Sequence, residues 1–93
     1  MNTVEAKGIL DDQLLKYRSK SYTDLVSLIE NSESLEITAA SGTWYQLKFF
    51  AAWDDNPNDV LRVFGSIDDG GLRAYFPLGD NFLVNPDGTF VGE

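Results

Sequence analysis

The pattern in this sequence that comes closest to a metal site is a run of carboxylates and amides between two apolar segments. Asp54, Asn56 and Asn58 alternate as in the first half of a calcium-binding loop, where oxygens at alternate positions ligate the ion. Such a loop requires glycine at its sixth position and glutamate at its twelfth, but this chain has Asp59 and Gly65 there. We therefore expect a solvent-exposed turn and no metal.

A second candidate is the pair of neighbouring carboxylates in the run Asp68-Asp69-Gly70-Gly71. Paired carboxylates act as general acid and base when burial separates their pKa values. Adjacent residues at a turn point apart into water, and the glycines supply the positive φ angles of a tight hairpin. The glycines also match neither of two nucleotide-binding patterns, the G-x-G-x-x-G motif and the Walker A loop. The sequence therefore predicts a hairpin turn here, with no catalytic residue and no cofactor.

The chain contains no histidine and no cysteine among its 93 residues. Without histidine there is no imidazole base and no imidazole ligand for zinc. Without cysteine there is no thiolate nucleophile, disulfide or iron–sulfur ligand. The carboxylates that remain cluster in predicted turns rather than around a cleft. We therefore expect this protein not to be an enzyme.

Aromatic side chains on the predicted outward face of a β-sheet are the strongest candidates for a binding surface. Alternation along a long strand places Trp44 and Phe50 opposite its apolar face, and Phe64 and Tyr75 point outward from later strands. Two helices cannot cover both faces of such a sheet, so these rings predict a surface for a protein partner or for a homodimer. The alternative is a second small core beneath the N-terminal segment or the last strand.

Three basic residues are predicted on the same outward face, Lys48, Arg62 and Arg73. Together they would form a basic spot that binds an anion or a carboxylate. The alternative is cross-strand pairing with neighbouring Asp or Glu, which contributes little to stability. The predicted interaction surface therefore consists of Trp44, Phe50, Phe64, Tyr75, Arg62, Arg73 and Lys48.

The formal net charge of −8 is unevenly distributed along the chain. Residues 1–20 carry four basic and three acidic side chains, whereas residues 21–93 carry three basic and twelve acidic ones. This excess of acidic residues disfavours binding of nucleic acid, because proteins bind its phosphates through clustered Lys and Arg. An acidic face usually keeps a protein soluble, and it is also suited to docking a basic partner.

The hydrophobic residues form no stretch approaching the roughly 20 residues of a membrane span. The first seven residues, MNTVEAK, also lack the basic start and apolar centre of a secretion signal. We therefore expect a cytoplasmic protein that does not contact membranes.

Two helices are predicted before residue 32. Apolar residues recur at helical spacing over residues 10–17, and Gly8 predicts that the regular helix begins after it. A second helix is predicted from Ser21, which forms a capping-box pattern with Asp24. Asn and Ser at residues 31–32 predict its end.

From residue 34 the apolar period changes to two, which indicates strands. A short strand around Leu35 and Ile37 is followed by a long one over residues 43–53. The predicted inner face of the long strand is Tyr45, Leu47, Phe49, Ala51 and Trp53. Further strands are predicted over residues 60–67, 72–78 and 82–84, with a last short one over 89–91 after the turn Pro86-Asp87-Gly88.

These elements predict an α+β fold, with two N-terminal helices packed on one face of a five- or six-stranded antiparallel meander sheet. A chain of 93 residues suits a single domain. We expect that domain to span residues 1–93, with a helical segment over 1–31 and the antiparallel sheet over 34–93.

Two stretches of the sequence, Arg62 to Leu78 and Asn85 to Glu93, resemble a small uncharacterised bacterial domain family. The resemblance covers about the C-terminal third and implies no activity for any residue. In size and acidity the chain is also similar to immunity proteins of bacterial toxin systems. That likeness implies an acidic surface that neutralises a basic toxin or nuclease.

The function that these observations favour is a small, acidic, cytoplasmic protein-interaction module without catalytic activity. Its partner would be another protein or a second copy of the same chain. The alternative is an immunity or inhibitor protein whose acidic surface binds a basic toxin or nuclease. Salt dependence separates the two, because charge steering is screened by salt whereas apolar contacts are not.

Overall fold

The computed structural model describes residues 1–71 and 77–92, in which helices precede a four-stranded antiparallel sheet. In chain order the elements are α1 (Thr3–Arg18), α2 (Tyr22–Val26) with a 3-10 turn (Ser27–Ile29), β1 (Glu33–Thr38), β2 (Trp44–Trp53), β3 (Leu61–Asp68) and β4 (Leu78–Val84). The strands lie side by side in the order in which they occur in the chain. The predicted α+β class and antiparallel meander are therefore confirmed.

Helix α1 begins earlier than the sequence predicted. The Asn2 side chain accepts a hydrogen bond from the Glu5 backbone N–H at 3.1 Å, which satisfies a donor left free at the helix start. The prediction that the helix starts after Gly8 is wrong, because a glycine weakens a helix by only about 1 kcal/mol. The cap and the buried Ala6 anchor the turn that precedes this glycine.

Helix α2 is capped as predicted but ends sooner. Ser21 Oγ accepts a hydrogen bond from the Asp24 N–H at 3.1 Å. The α-helix ends at Val26 and continues as a 3-10 turn to Ile29, where one longer regular helix was predicted. The Ser27 hydroxyl donates to the Asp24 carbonyl at this change, and such bonds compete with the regular helical ladder. No helix in the described ranges is long and apolar enough to cross a membrane.

The central strands have the predicted alternation between a buried and an outward face. On β2 the inward residues Tyr45, Leu47, Phe49 and Ala51 are buried, and Trp53 at the strand end is half-buried. On β3 the inward residues Leu61, Val63 and Ile67 are fully buried. Alternating burial of this kind is typical of a sheet with one covered face.

The pairing partner of β3 differs from the prediction. A tight hairpin at residues 68–71 would pair β3 with residues 72–78, but β3 pairs with Leu78–Val84, and Ile67 lies opposite Leu78. Gly70 does adopt the positive φ of a turn, 82°. Residues 72–76 of the predicted strand lie outside the described residues.

Strand β4 includes residues that the sequence predicted as a turn, Gly79-Asp80-Asn81. These residues are exposed on a strand at the edge of the described sheet, where polar side chains need not be buried. The last predicted strand reduces to one antiparallel bridge between Val84 and Phe90. Within the described ranges the sheet therefore has four strands, where five or six were predicted.

The helices lie on one face of the sheet and form the core with its inward residues. Helix α1 packs on β3 and β4, while α2 and the 3-10 turn pack on β2. Tyr17 stacks on Phe49 with the ring centroids 4.4 Å apart. Gly65 lets α1 approach β3 closely, because a Cβ atom at this position would lie 2.9 Å from Leu14 Cδ2. This arrangement leaves the other face of the sheet without a described helix on it.

Candidate functional site

The sheet face turned away from the helices carries most of the residues predicted as an interaction surface. We call it the outer face. It is formed by alternate residues of each strand, beginning with Ser34 in β1, Trp44 in β2, Arg62 in β3 and Gly79 in β4. The buried side chains of the helices belong to the core on the opposite face, so within the described part of the chain the outer face is open to a partner.

A pair of phenylalanines lies at the centre of the outer face. Phe50 on β2 and Phe64 on β3 are directly opposite in the ladder, and their rings stack with centroids 4.8 Å apart and an interplanar angle of 13°. Phe50 is 43% exposed and Phe64 is half-buried. Stacked rings on adjacent strands stabilise a sheet by roughly 0.5–1.5 kcal/mol, yet much of the Phe50 surface remains in water.

Trp44 lies on the same face but apart from the phenylalanine pair. It is 39% exposed at the start of β2, and Gln46 and Lys48 separate it from Phe50 on that face. Six residues of strand correspond to roughly 20 Å. Its ring lies against the turn after β3, since a Cβ atom on Gly70 would be 3.1 Å from it. The predicted aromatic surface is therefore two separate apolar areas within the described residues.

The predicted basic spot is only partly available to a ligand. Arg62 donates through Nη2 to Asp54 Oδ1 at 2.7 Å and through Nη1 to Asn81 Oδ1 at 2.8 Å. Its charge is therefore already compensated, as the cross-strand alternative predicted. Lys48 is exposed and has no ion-pair partner among the described residues. Arg73 and Tyr75 lie outside the described residues.

The two acidic motifs take part in local structure. Asp54 is bound to Arg62, and Asn58 adopts a positive φ of 64° in the turn that follows. Asp68 accepts from the Gly70 N–H at 2.9 Å, and Asp69 from the Gly71 N–H at 3.1 Å. In the ranges described, no three His, Cys, Asp or Glu side chains are arranged to hold a metal ion.

A groove between α1 and β4 is a feature that the sequence did not predict. It has a volume of about 250 Å³ and is lined by Asp11, Leu14, Leu15, Arg18, Asp80, Asn81 and Phe82. The Arg18 guanidinium lies over the Phe82 and Phe90 rings, 5.1 and 4.7 Å from their centroids. The spacing of the apolar residues in α1 indicates a buried side, but it does not reveal which strand lies beside the helix.

An ion-pair cluster lies at one wall of this groove. Lys7 Nζ donates to Asp11 on its own helix and to Asp80 Oδ2 on β4 at 2.8 Å. These bonds raise the pKa of Lys7 above its ordinary value, and the bond from Lys7 lowers the pKa of Asp80. Lys7 therefore stays protonated and Asp80 stays ionised at neutral pH, and Lys7 pairs with both carboxylates. The cluster therefore ties α1 to β4 and offers neither a free acid nor a free base.

Two tyrosines that pack in the core donate their hydroxyl groups to carboxylates. Tyr45 donates to Glu5 Oε1 at 2.7 Å, and Tyr17 donates to Glu33. The bond to Glu5, followed by burial, raises the pKa of Tyr45 to about 12. Burial, followed by the bond to Glu33, also raises the pKa of Tyr17. Both hydroxyls therefore stay protonated at neutral pH and are poor candidates for a base.

Comparisons of this chain with protein-family models, with curated proteins and with solved structures found no match.

Proposed function

We propose that this protein is a non-catalytic interaction module of the bacterial cytoplasm that binds a protein partner through its outer face. The observation that carries the proposal is the Phe50–Phe64 stack, an apolar surface left open at the centre of a sheet face. Exposed aromatic groups surrounded by polar side chains are typical of binding surfaces. A second copy of the chain is one partner that this surface can take, which would produce a homodimer.

The experiment that tests this proposal places a photoreactive phenylalanine analogue at residue 50 in the living cell. The control places the same analogue at Leu15, which is 64% exposed on α1, beside the groove and away from the outer face. We expect adducts of defined mass from residue 50 and none from residue 15. An adduct of twice the chain mass identifies a second copy, and any other mass identifies a different protein.

A substitution then measures how much the stack contributes to binding. Phe50→Ser should weaken the captured complex by about tenfold or more, because central aromatic residues commonly contribute 2 kcal/mol or more to an interface. Leu15→Ser should leave the affinity unchanged. Equal cross-linking from both positions, or an unchanged affinity in Phe50→Ser, would contradict the proposal.

The second candidate function is an immunity or inhibitor protein for a basic toxin or nuclease. The observation that favours it is a set of exposed carboxylates without a cationic partner among the described residues, including Glu30, Glu36, Asp55 and Asp59. Such groups steer a basic partner toward the surface. Its test is the association rate of the captured complex, which should fall steeply with added salt for this function and stay nearly constant for an apolar contact.

A further inference from the structure

The two edges of the sheet are treated differently by the rest of the chain. At the β4 edge, the Leu83 carbonyl accepts from the Val91 N–H at 3.0 Å, and the Asn81 N–H donates to the Asp80 side chain at 2.8 Å. Asp80 is itself held by Lys7. This edge is therefore partly covered, a common protection against unwanted strand pairing.

The β1 edge has no such protection among the described residues. The Ala39 N–H donates to the Thr43 carbonyl at 2.8 Å across the β1–β2 turn. Since bonded and non-bonded pairs alternate in an antiparallel ladder, the backbone groups of Ser34, Glu36 and Thr38 point away from β2. Ser34, Glu36 and Thr38 are all exposed. Their N–H and C=O groups make no hydrogen bond to any described residue.

The charged side chains of β1 itself are both acidic. Between residues 21 and 47 the sequence contains no Lys or Arg, and it contains Asp24, Glu30, Glu33 and Glu36. Glu36 lies on the outer side of β1, opposite Gln46, and no described cation pairs with it. Lys48 is on the same face but one strand further in. On the outer side, a strand placed beside β1 would therefore lie next to the Glu36 carboxylate, with Lys48 on the far side of β1.

The same charges disfavour a second copy of the chain at this edge. Pairing two β1 strands about a two-fold axis near their centre places the two Glu36 side chains directly or diagonally opposite, and like charges in such positions are destabilising. On the inner side of the edge, Leu35 is 38% exposed and Ile37 is half-buried. A complementary strand would thus carry basic residues on one side and apolar residues on the other.

We propose that the β1 edge binds an extended segment of a partner protein, with Lys or Arg at alternate positions, as a fifth strand of the sheet. Backbone hydrogen bonds to Ser34, Glu36 and Thr38 would supply affinity, and alternate side chains would supply specificity, as in other strand-addition complexes. The basic side chains would face Glu36, and the apolar ones would pack against Leu35. This site is separate from the Phe50–Phe64 stack and does not depend on it.

The test uses the whole protein and a synthetic peptide, TKVKVKT, with blocked ends. The readouts are fluorescence anisotropy of the labelled peptide and amide hydrogen exchange of the protein. We expect saturable binding, with new protection of the Ser34, Glu36 and Thr38 amides. TEVEVET should not bind. TKVKVKT that is N-methylated at alternate residues keeps its positive charge but cannot form the backbone hydrogen bonds to β1. It should therefore not bind.

Protein variants separate a site at the edge from general attraction to an acidic molecule. Glu36→Lys should weaken TKVKVKT binding by about 5- to 30-fold, since a cross-strand attraction becomes a repulsion. Asp55→Lys, the same charge change at an exposed loop residue, should change it less than about twofold. Phe50→Ser should leave peptide binding intact, so the outcome is independent of the outer-face proposal.

Three results would overturn the proposal. The first is equal binding of the N-methylated peptide, and the second is an equal loss in Asp55→Lys and Glu36→Lys. Both would show attraction by charge alone. The third is an increase in the protection of the three edge amides with protein concentration when no peptide is present. The edge would then be occupied by a second copy of the chain.

Discussion

Tyr45 combines a buried ring with a hydroxyl group bound to a carboxylate, and this makes the folded state sensitive to high pH. Its ring is fully buried between β2 and the helices, and its hydroxyl group donates a hydrogen bond of 2.7 Å to Glu5. Glu5 also accepts from Ser41 at 2.9 Å. One carboxylate near the start of α1 thus ties the helix to β2 and to the turn before it.

The raised pKa of Tyr45, about 12, predicts a loss of stability at alkaline pH. An unfolded tyrosine titrates near 10, so between pH 10 and 12 the unfolded chain loses a proton that the folded chain keeps. The contribution of Tyr45 to the free energy of unfolding should therefore be constant below pH 10 and fall above it. Glu5→Gln should lower the titration midpoint of Tyr45, measured by tyrosinate absorbance, and should reduce this slope.

Glu30→Gln is the matched control, because Glu30 is an exposed carboxylate that binds no tyrosine. It should leave the tyrosinate titration unchanged. If Glu5→Gln and the wild-type protein titrate identically, the hydrogen bond is not the main cause of the shift.

The contact between α1 and the sheet depends on a position without a side chain. A Cβ atom at residue 65 would lie 2.9 Å from Leu14 Cδ2 and 3.0 Å from both Leu10 Cδ1 and Phe49 Cε1. All three neighbours belong to the buried core. Residue 65 therefore determines how closely the helix can lie on β3.

Gly65→Ala should destabilise the protein by about 1–3 kcal/mol, the usual cost of adding atoms to a well-packed core. Denaturant unfolding measures this as a lower midpoint at an unchanged slope. Gly8→Ala, on the exposed side of α1, is the control in which the added methyl group has room. No atom lies within 4 Å of the added Cβ, so this change should stabilise the helix by roughly 0.5–1 kcal/mol. A stabilised Gly65→Ala variant would contradict the close approach of α1.

The parts of the fold that the sequence predicted are those with strong local patterns. Strand β2 has ten residues with strict alternation, and Ser21 with Asp24 is a local cap, so neither requires knowledge of distant residues. Gly79-Asp80-Asn81 looks like a turn locally. Its place in β4 depends on pairing with β3 and on the contact of Asp80 with Lys7, which the sequence does not reveal.

Alternation in the sequence predicts which sheet face the candidate residues share, but not whether they are contiguous. Alternation was sufficient to place Trp44, Lys48, Phe50 and Phe64 on the outer face. The separation of Trp44 from the phenylalanine stack follows from the strand register. The compensation of Arg62 by Asp54 and Asn81 depends on the turn after β2 and on β4, whose positions are set by long-range contacts.

At the scale of the whole molecule, the net charge of −8 opposes folding through repulsion within the compact state. The ion pairs within the described residues that could offset this, such as Lys7–Asp80 and Arg62–Asp54, are partly exposed and therefore contribute little. Repulsion distributed over the surface is screened by salt. Moderate sodium chloride should therefore raise the free energy of unfolding at neutral pH.

The control for this prediction is the same salt titration near pH 4.2, the pI expected from the sequence. There the net charge is close to zero, and added salt should have little effect or a slightly destabilising one. If salt instead destabilises this protein at neutral pH, then attraction within local ion pairs outweighs the general repulsion between its negative charges.

The difference between the two sheet edges limits the assemblies that this chain can form. Edge-to-edge growth into a filament requires every subunit to offer two compatible edges, but here the Leu83 carbonyl and the Asn81 N–H are already bonded at the β4 edge. A strand added at β1 would therefore end the growth of the sheet. The stoichiometry at that edge would be one partner strand per chain, and higher protein concentration would saturate the complex without polymerising it.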